Sequence, residues 1–409
     1  MIRHQVYFDT LGTMKEDSAF WRSVFAGLSV LRLVDSYAEV AQGGGLANWA
    51  EIHSVRTAIE NVGQGDPVRG VLTAVVDEVI HRNAVDDSVL STLLAYGRAL
   101  DYEASWGLAT DVFSTVAKLA RPEKNARLAV EANVAVGGAA RRNGDWETSA
   151  RAYSQAAYIA DTLGDRQGVL TVQVGIANTY LAKGNIPQAE AILDDVIVQA
   201  TDQGFAAAQS RALHSRAAVA HRRGEAAAGL KFAHEALNLT DHPGERDQIV
   251  EDIAGMFTEL GMYDAAQDAH LILVATAQSK LVKWTATLNL MELAGLQSRQ
   301  AQFENYAREL ANAPMGAWVR AHYFLFYGEG LLRFDQVDKA EVALQEAITL
   351  ADANQFHEVS FKAQQALVQA KSAHRATKTF IAPSAWTAQE LSPVTHAMSD
   401  LRKAAEAAR

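Results

Sequence analysis

Arg211, His214 and His221 stand at spacings of three and seven residues, so a helix would carry all three on one face. Such a basic face suits a carboxylate or a phosphate, because a guanidinium donates paired hydrogen bonds to either anion. Metal binding is a poorer fit. His214 and His221 lie two helical turns apart, about 10 Å at 1.5 Å per residue, too far to share one ion unaided. The pairs His234-Glu235 and His357-Glu358 lack a second histidine four residues on, so neither is a zinc-protease motif. The chain has no cysteine, which removes disulfides, thiol nucleophiles and thiolate metal sites.

Other catalytic signatures are also missing. No Walker loop or nucleophile elbow occurs. The run Gly63 to Gly70 superficially resembles a phosphate loop, but Asp66-Pro67 reads as a helix start: a capping carboxylate, then a residue whose missing N–H is no loss in the first turn. Gly43-Gly44-Gly45 reads as a hinge between helices, since no strand precedes it. These features predict a protein that is not an enzyme and holds no cofactor.

The elements that position the basic face are helices. Apolar residues recur at helical spacing, and polar turns interrupt them at Gly144, Gly184, Gly224, Gly261, Ala301 and Asp335, 34 to 40 residues apart. Self-similarity on that scale predicts a solenoid, in which each helix pair buries its apolar face by stacking on its neighbours. Seven residues before each turn stands Gly137, Ala177, Ala217, Ala254, Ala294 or Gly328, small enough for two helix axes to approach closely. Twelve residues after each turn stands an apolar residue: Ala156, Val196, Ala236, Leu273, Ala313 or Ala347. Trp106, Trp146, Trp284 and Trp318 fall within these stripes and read as core.

The expected organisation is as follows. Residues 1–45 hold an irregular segment and one helix, and 46–121 hold degenerate, acidic helical repeats. Residues 122–352 hold six clear repeats, 353–372 a capping helix, and 373–409 a polar tail. The tail is expected to be loosely held, or else to fold back on the acidic N-terminal section. That section, Asp35 to Asp111, has 12 acidic residues against four Arg, out of a net charge of −11 for the whole chain. Its acidity argues against nucleic acid and would suit a basic partner. No apolar signal core opens the sequence, and no stretch near the start is long enough to span a bilayer, so the expected location is cytoplasmic.

The turn and packing residues together resemble the tetratricopeptide repeat family. Ile176-Ala177 with Tyr180, the turn at Gly184, then Ala189 and Leu193 make one match. Tyr327-Gly328 with Leu331, then Ala340, Leu344 and Ala347 make another, and Val136-Gly137, Gly144, Tyr153 and Ala156 a third. The repeats are longer than the usual 34 residues. The resemblance implies an all-α, right-handed superhelix of antiparallel helix pairs whose first helices line a groove. On that mapping Arg141 and Arg222 join Arg211, His214 and His221 in a basic strip. Asn178 resembles the asparagine with which some family members hold a peptide backbone. The full set of groove lysines that clamp a C-terminal carboxylate in other members is missing. The implied function is a scaffold that takes a protein or peptide partner in its groove, with acidic groups facing the strip. The alternative is a peptide-responsive regulator.

Overall fold

The computed structural model describes residues 3–40, 49–64, 66–313, 315–354, 356–371 and 385–407. The expected hinge at Gly43–Gly45 and the tail around Pro383 lie outside the described residues. Every regular element among the described residues is an α-helix. The chain divides into two compact units, Met1–Ile192 and Leu193–Arg409.

The first unit holds α1 (Gln5–Thr13), α2 (Ala19–Val40), α3 (Trp49–Glu60), α4 (Pro67–Arg82), α5 (Asp87–Tyr102), α6 (Trp106–Leu119), α7 (Ala126–Arg142), α8 (Trp146–Thr162) and α9 (Arg166–Ala182). The point of division falls within α10 (Ile186–Asp202). The second unit continues with α11 (Ala206–Arg222), α12 (Ala226–Leu239), α13 (Pro243–Glu259), α14 (Tyr263–Thr276), α15 (Lys280–Leu296) and α16 (Gln300–Ala311). Then come α17 (Ala317–Arg333), α18 (Val337–Ala353), α19 (His357–Lys371), α20 (Ala385–Glu390) and α21 (Ser392–Ala407).

Capping side chains start many of these helices. Asp66 accepts from the Val68 amide at 3.0 Å ahead of Pro67, and Asp145 from Thr148 at 3.0 Å. One backbone motif joins the two helices of each pair. Gly144, Gly184, Gly224, Gly261, Ser298 and Asp335 all take a left-handed φ of 57–78°. The next amide then donates to the carbonyl five residues back: Asp145 to Ala140, Asn185 to Tyr180, Glu225 to Ala220, Met262 to Phe257, Arg299 to Ala294 and Gln336 to Leu331. This satisfies a carbonyl that the helix end leaves open.

The motif corrects one turn. Ala301 lies inside α16, and the turn is at Ser298, where serine takes the left-handed conformation without a glycine. The repeat intervals become 40, 40, 37, 37 and 37. The step from 40 to 37 has a local cause: α8 has 17 residues, whereas α12 and α14 have 14 each. The small and apolar positions shift with the turn. Met291 and Leu310, both buried, take the places assigned to Ala294 and Ala313. Elsewhere the small residues do bring helices together. A Cβ on Gly137 would come within 2.7 Å of the Tyr153 ring and one on Gly175 within 2.2 Å, so that ring fills a slot between α7 and α9. Gly328 sits likewise against Leu344, at 2.7 Å.

Two terminal expectations also change. Part of the segment expected to be irregular forms α1, which Tyr7, fully buried with its hydroxyl 3.2 Å from that of Tyr96, helps anchor. The tail is not loose among its described residues: α21 packs on α14 and α12 of the second unit. No described helix is long and apolar enough to cross a membrane.

Candidate functional site

The side chains that could do chemistry on α11 are met by acids from α13, one repeat further along. Arg211 reaches Glu245 Oε1 with Nη2 at 2.6 Å and Nε at 2.7 Å, and Thr240 donates to the other oxygen of that carboxylate at 3.0 Å. His214 Nε2 lies 2.6 Å from Asp252 Oδ2, and His221 Nε2 pairs with Glu259. The offsets are 34, 38 and 38 residues, close to the 37-residue period. The strip is therefore half of a ladder between two successive first helices, made of one Arg–Glu ion pair and two histidine–carboxylate contacts. Exposed pairs of this kind contribute about 0–1 kcal/mol each, so the ladder fixes how α11 and α13 align more than it stabilises them. Arg222, next in the chain, is exposed.

Glu251, on α13 beside the ladder, has a different environment. Burial pushes its carboxyl up to about 7, with the charges of Asp252 and Asp247 adding to the effect. One turn on, Gly255 faces open space.

The other sequence-derived positions belong to the first unit. Arg141 is half-buried on α7; burial lowers its pKa, Tyr153 partly offsets this, and its Nε has no hydrogen-bond partner. Asn178 is half-buried on α9. The structure thus joins Arg211, His214 and His221 on one helix face, while Arg141 and Asn178 are elements of the other unit.

Sequence reasoning missed an aromatic stripe on α17. Trp318, His322 and Phe326 succeed one another at four-residue spacing, each half-buried. Trp318 and His322 rings are 4.2 Å apart between centroids, and His322 and Phe326 6.1 Å. Burial lowers the His322 pKa, and Lys362 and Glu358 of α19 are near enough to act on it as well. On α19, Phe361 is 60% exposed and Val368 68%, seven residues apart and on the stripe that Glu358 begins. The signal was present in the sequence as aromatic residues on a first helix. Of the three, Trp318 alone reads as core from the sequence, because periodicity does not show which side of a helix a neighbour covers. Trp146 departs from the core expectation too: it is 38% exposed, with Lys183 Nζ 5.2 Å from its ring centroid. Among the described residues no group of three His, Asp or Glu could hold a metal ion.

Neither a family model nor a curated protein matches the chain. Solved structures do. NprR in complex with its cognate peptide NprX is 10% identical, with a TM-score of 0.45, over 76% of this chain and 96% of that one. A Rap protein complexed with competence and sporulation factor is 12% identical, with a TM-score of 0.40, over 85% and 97%. A tetratricopeptide repeat protein from Parabacteroides merdae is 11% identical, with a TM-score of 0.39, over 67% and 98%. The chain's own six hairpins, α7/α8 to α17/α18, with their shared turn motif, make a tetratricopeptide-like, all-α helical repeat.

Proposed function

We propose that the chain is a non-catalytic interaction protein that holds a peptide or an extended protein segment along the first helices of its second unit, α11, α13, α15, α17 and α19. The observation that carries this reading is the exposed apolar face of α19, Phe361 and Val368, on the helix that packs against α17 with its partly buried Trp318–His322–Phe326 stripe, of which Phe326 also rests on the core. Aromatic and aliphatic side chains left open to water in one neighbourhood are the usual anchors of an interface. On α11 and α13 the ladder presents side chains already met by carboxylates rather than a bare cationic strip. Since those side chains are satisfied within the protein, affinity comes chiefly from the apolar anchors of the bound segment. Its expected composition is one or two large apolar anchors followed by mixed charge. Arg222, exposed at the end of α11, is a secondary contact in this reading, whereas Arg141 and Asn178 belong to the first unit and take no part in it.

Selection of displayed peptides against the intact protein tests it. Enriched sequences should carry apolar anchors and should lose affinity at least tenfold with Phe361→Asp. Arg211→Ala with Arg222→Ala should change affinity by less than about threefold, since the ladder already satisfies Arg211. Peptides indifferent to Phe361→Asp, or no enrichment at all, would overturn the proposal.

A further inference from the structure

The last helix raises a separate question, independent of the first-helix face. The repeat array is closed at its end by α19, whose Val359, Ala363 and Ala366 join Leu325, Leu344 and Ile348 in one buried cluster. Helix α21 is not needed for that closure. Instead it lies on α14 and α12, second helices of earlier hairpins. Elsewhere in this unit, second helices leave apolar residues open, as at Val198 (58% exposed) and Val342 (66%).

The contact is narrow and directional. Leu391, Val394 and Met398 are buried at spacings of three and four, and Ala405 continues their stripe. Ion pairs fix its two ends. Glu390, just before α21, pairs with Lys231 of α12, and Arg402 Nε lies 2.8 Å from Asp268 Oδ1 of α14. Apart from Leu401 and scattered alanines, the rest of α21 is largely polar, and all of it is wholly or partly exposed. Thirteen residues separate Lys371 from Ala385 in the sequence, so α21 is covalently joined to the array on which it sits. A sixteen-residue helix would be marginal as an isolated peptide in water, so its order here depends on the face it packs against.

We propose that the face of α12 and α14 is a helix-accepting site, and that α21 is its tethered occupant, competing with an amphipathic helix of a partner. Occupant chemistry defines that partner. It carries a carboxylate at its start for Lys231, apolar residues in the spacing of Leu391, Val394 and Met398, and a cation four residues on for Asp268. Displacement frees α21 when such a helix arrives.

The test uses the full chain and a labelled peptide of residues 385–407 added in trans. Fluorescence anisotropy should show weak binding to the wild-type chain, because the tethered copy wins. Arg402→Glu in the chain places like charge against Asp268, and trans affinity should rise at least tenfold. Asp268→Arg should reject the wild-type peptide and prefer a peptide carrying R402E by at least tenfold. Should Arg402→Glu lose its helical circular dichroism, Lys231→Glu opens the other end and takes its place, with the wild-type peptide exchanged for one carrying E390K. Folded variants whose trans affinity equals that of the wild type, with no preference for the charge-swapped peptides, would overturn the proposal and make α21 a permanent part of the fold.

Discussion

His4 offers a quantitative test of how the first unit is held together. Its Nδ1 lies 2.6 Å from Asp111 of α6 and its Nε2 3.3 Å from Asp35 of α2, while the ring is almost fully buried. Burial by itself would lower the imidazole pKa. The two carboxylates overcome that and raise it to about 9. The native state therefore keeps a proton that the unfolded chain releases near 6.5. Stability from this clamp is fully present below pH 6.5 and is lost as pH rises through 9. At 1.36 kcal/mol per pH unit the loss is about 3 kcal/mol. The chain has no cysteine, so a single Thr13→Cys carries a fluorophore that reports on α1 alone. Urea unfolding followed at that label should show wild type more stable than His4→Gln by about 3 kcal/mol at pH 6, with the gap closing towards zero at pH 9.5. A gap of the same size at both pH values would refute the reasoning. So would an NMR titration placing the His4 imidazole near 6.5.

Three further outcomes follow from buried groups elsewhere. His270 is fully buried on α14, its Nδ1 lacks a partner, and burial lowers its pKa to about 4. The unfolded chain takes up the proton first, so stability is intact above pH 6.5 and falls by up to about 3 kcal/mol as pH drops towards 4. His270→Leu should flatten that acid limb in denaturation curves. Gly330→Ala would place a Cβ 2.2 Å from Phe303 Cε2, in a ring that is fully buried and stacked on Tyr327. Overpacking should cost about 1–3 kcal/mol and show as a lower thermal midpoint. Asp66→Ala removes the N-cap of α4 and its bond to Ser23, and amide exchange in the first turn of α4 should accelerate as about 0.5–2 kcal/mol of local stability is lost.

The hairpins were legible where the chemistry of a turn is confined to one residue type. Gly144, Gly184, Gly224 and Gly261 mark left-handed positions that other residues resist. Ser298 did not, because a polar residue can take that conformation without announcing it. Helix α1 escaped notice since it buries a single residue, Tyr7, and its anchors, Asp35 and Asp111, are far away in the sequence. The docking of α21 depends on Asp268 and Lys231, more than a hundred residues earlier, which no local pattern reveals. The basic residues of α11 were found by spacing. Their acidic partners could have been found by the same means, since Asp252 and Glu259 each stand about one period beyond the histidine they meet. The aromatic stripe of α17 needed the structure, because exposure is decided by neighbouring helices rather than by the helix that carries it.

Site-specific crosslinking tests the central claim most directly. A benzoylphenylalanine placed at position 361 on α19, and in a second protein at position 158 on α8, offers two well-exposed probes: Phe361 is 60% exposed and Tyr158 67%. With a peptide selected for binding, the account predicts a strong crosslink from position 361 and none above background from position 158. Equal crosslinking from both, or crosslinking from position 158 alone, would contradict it.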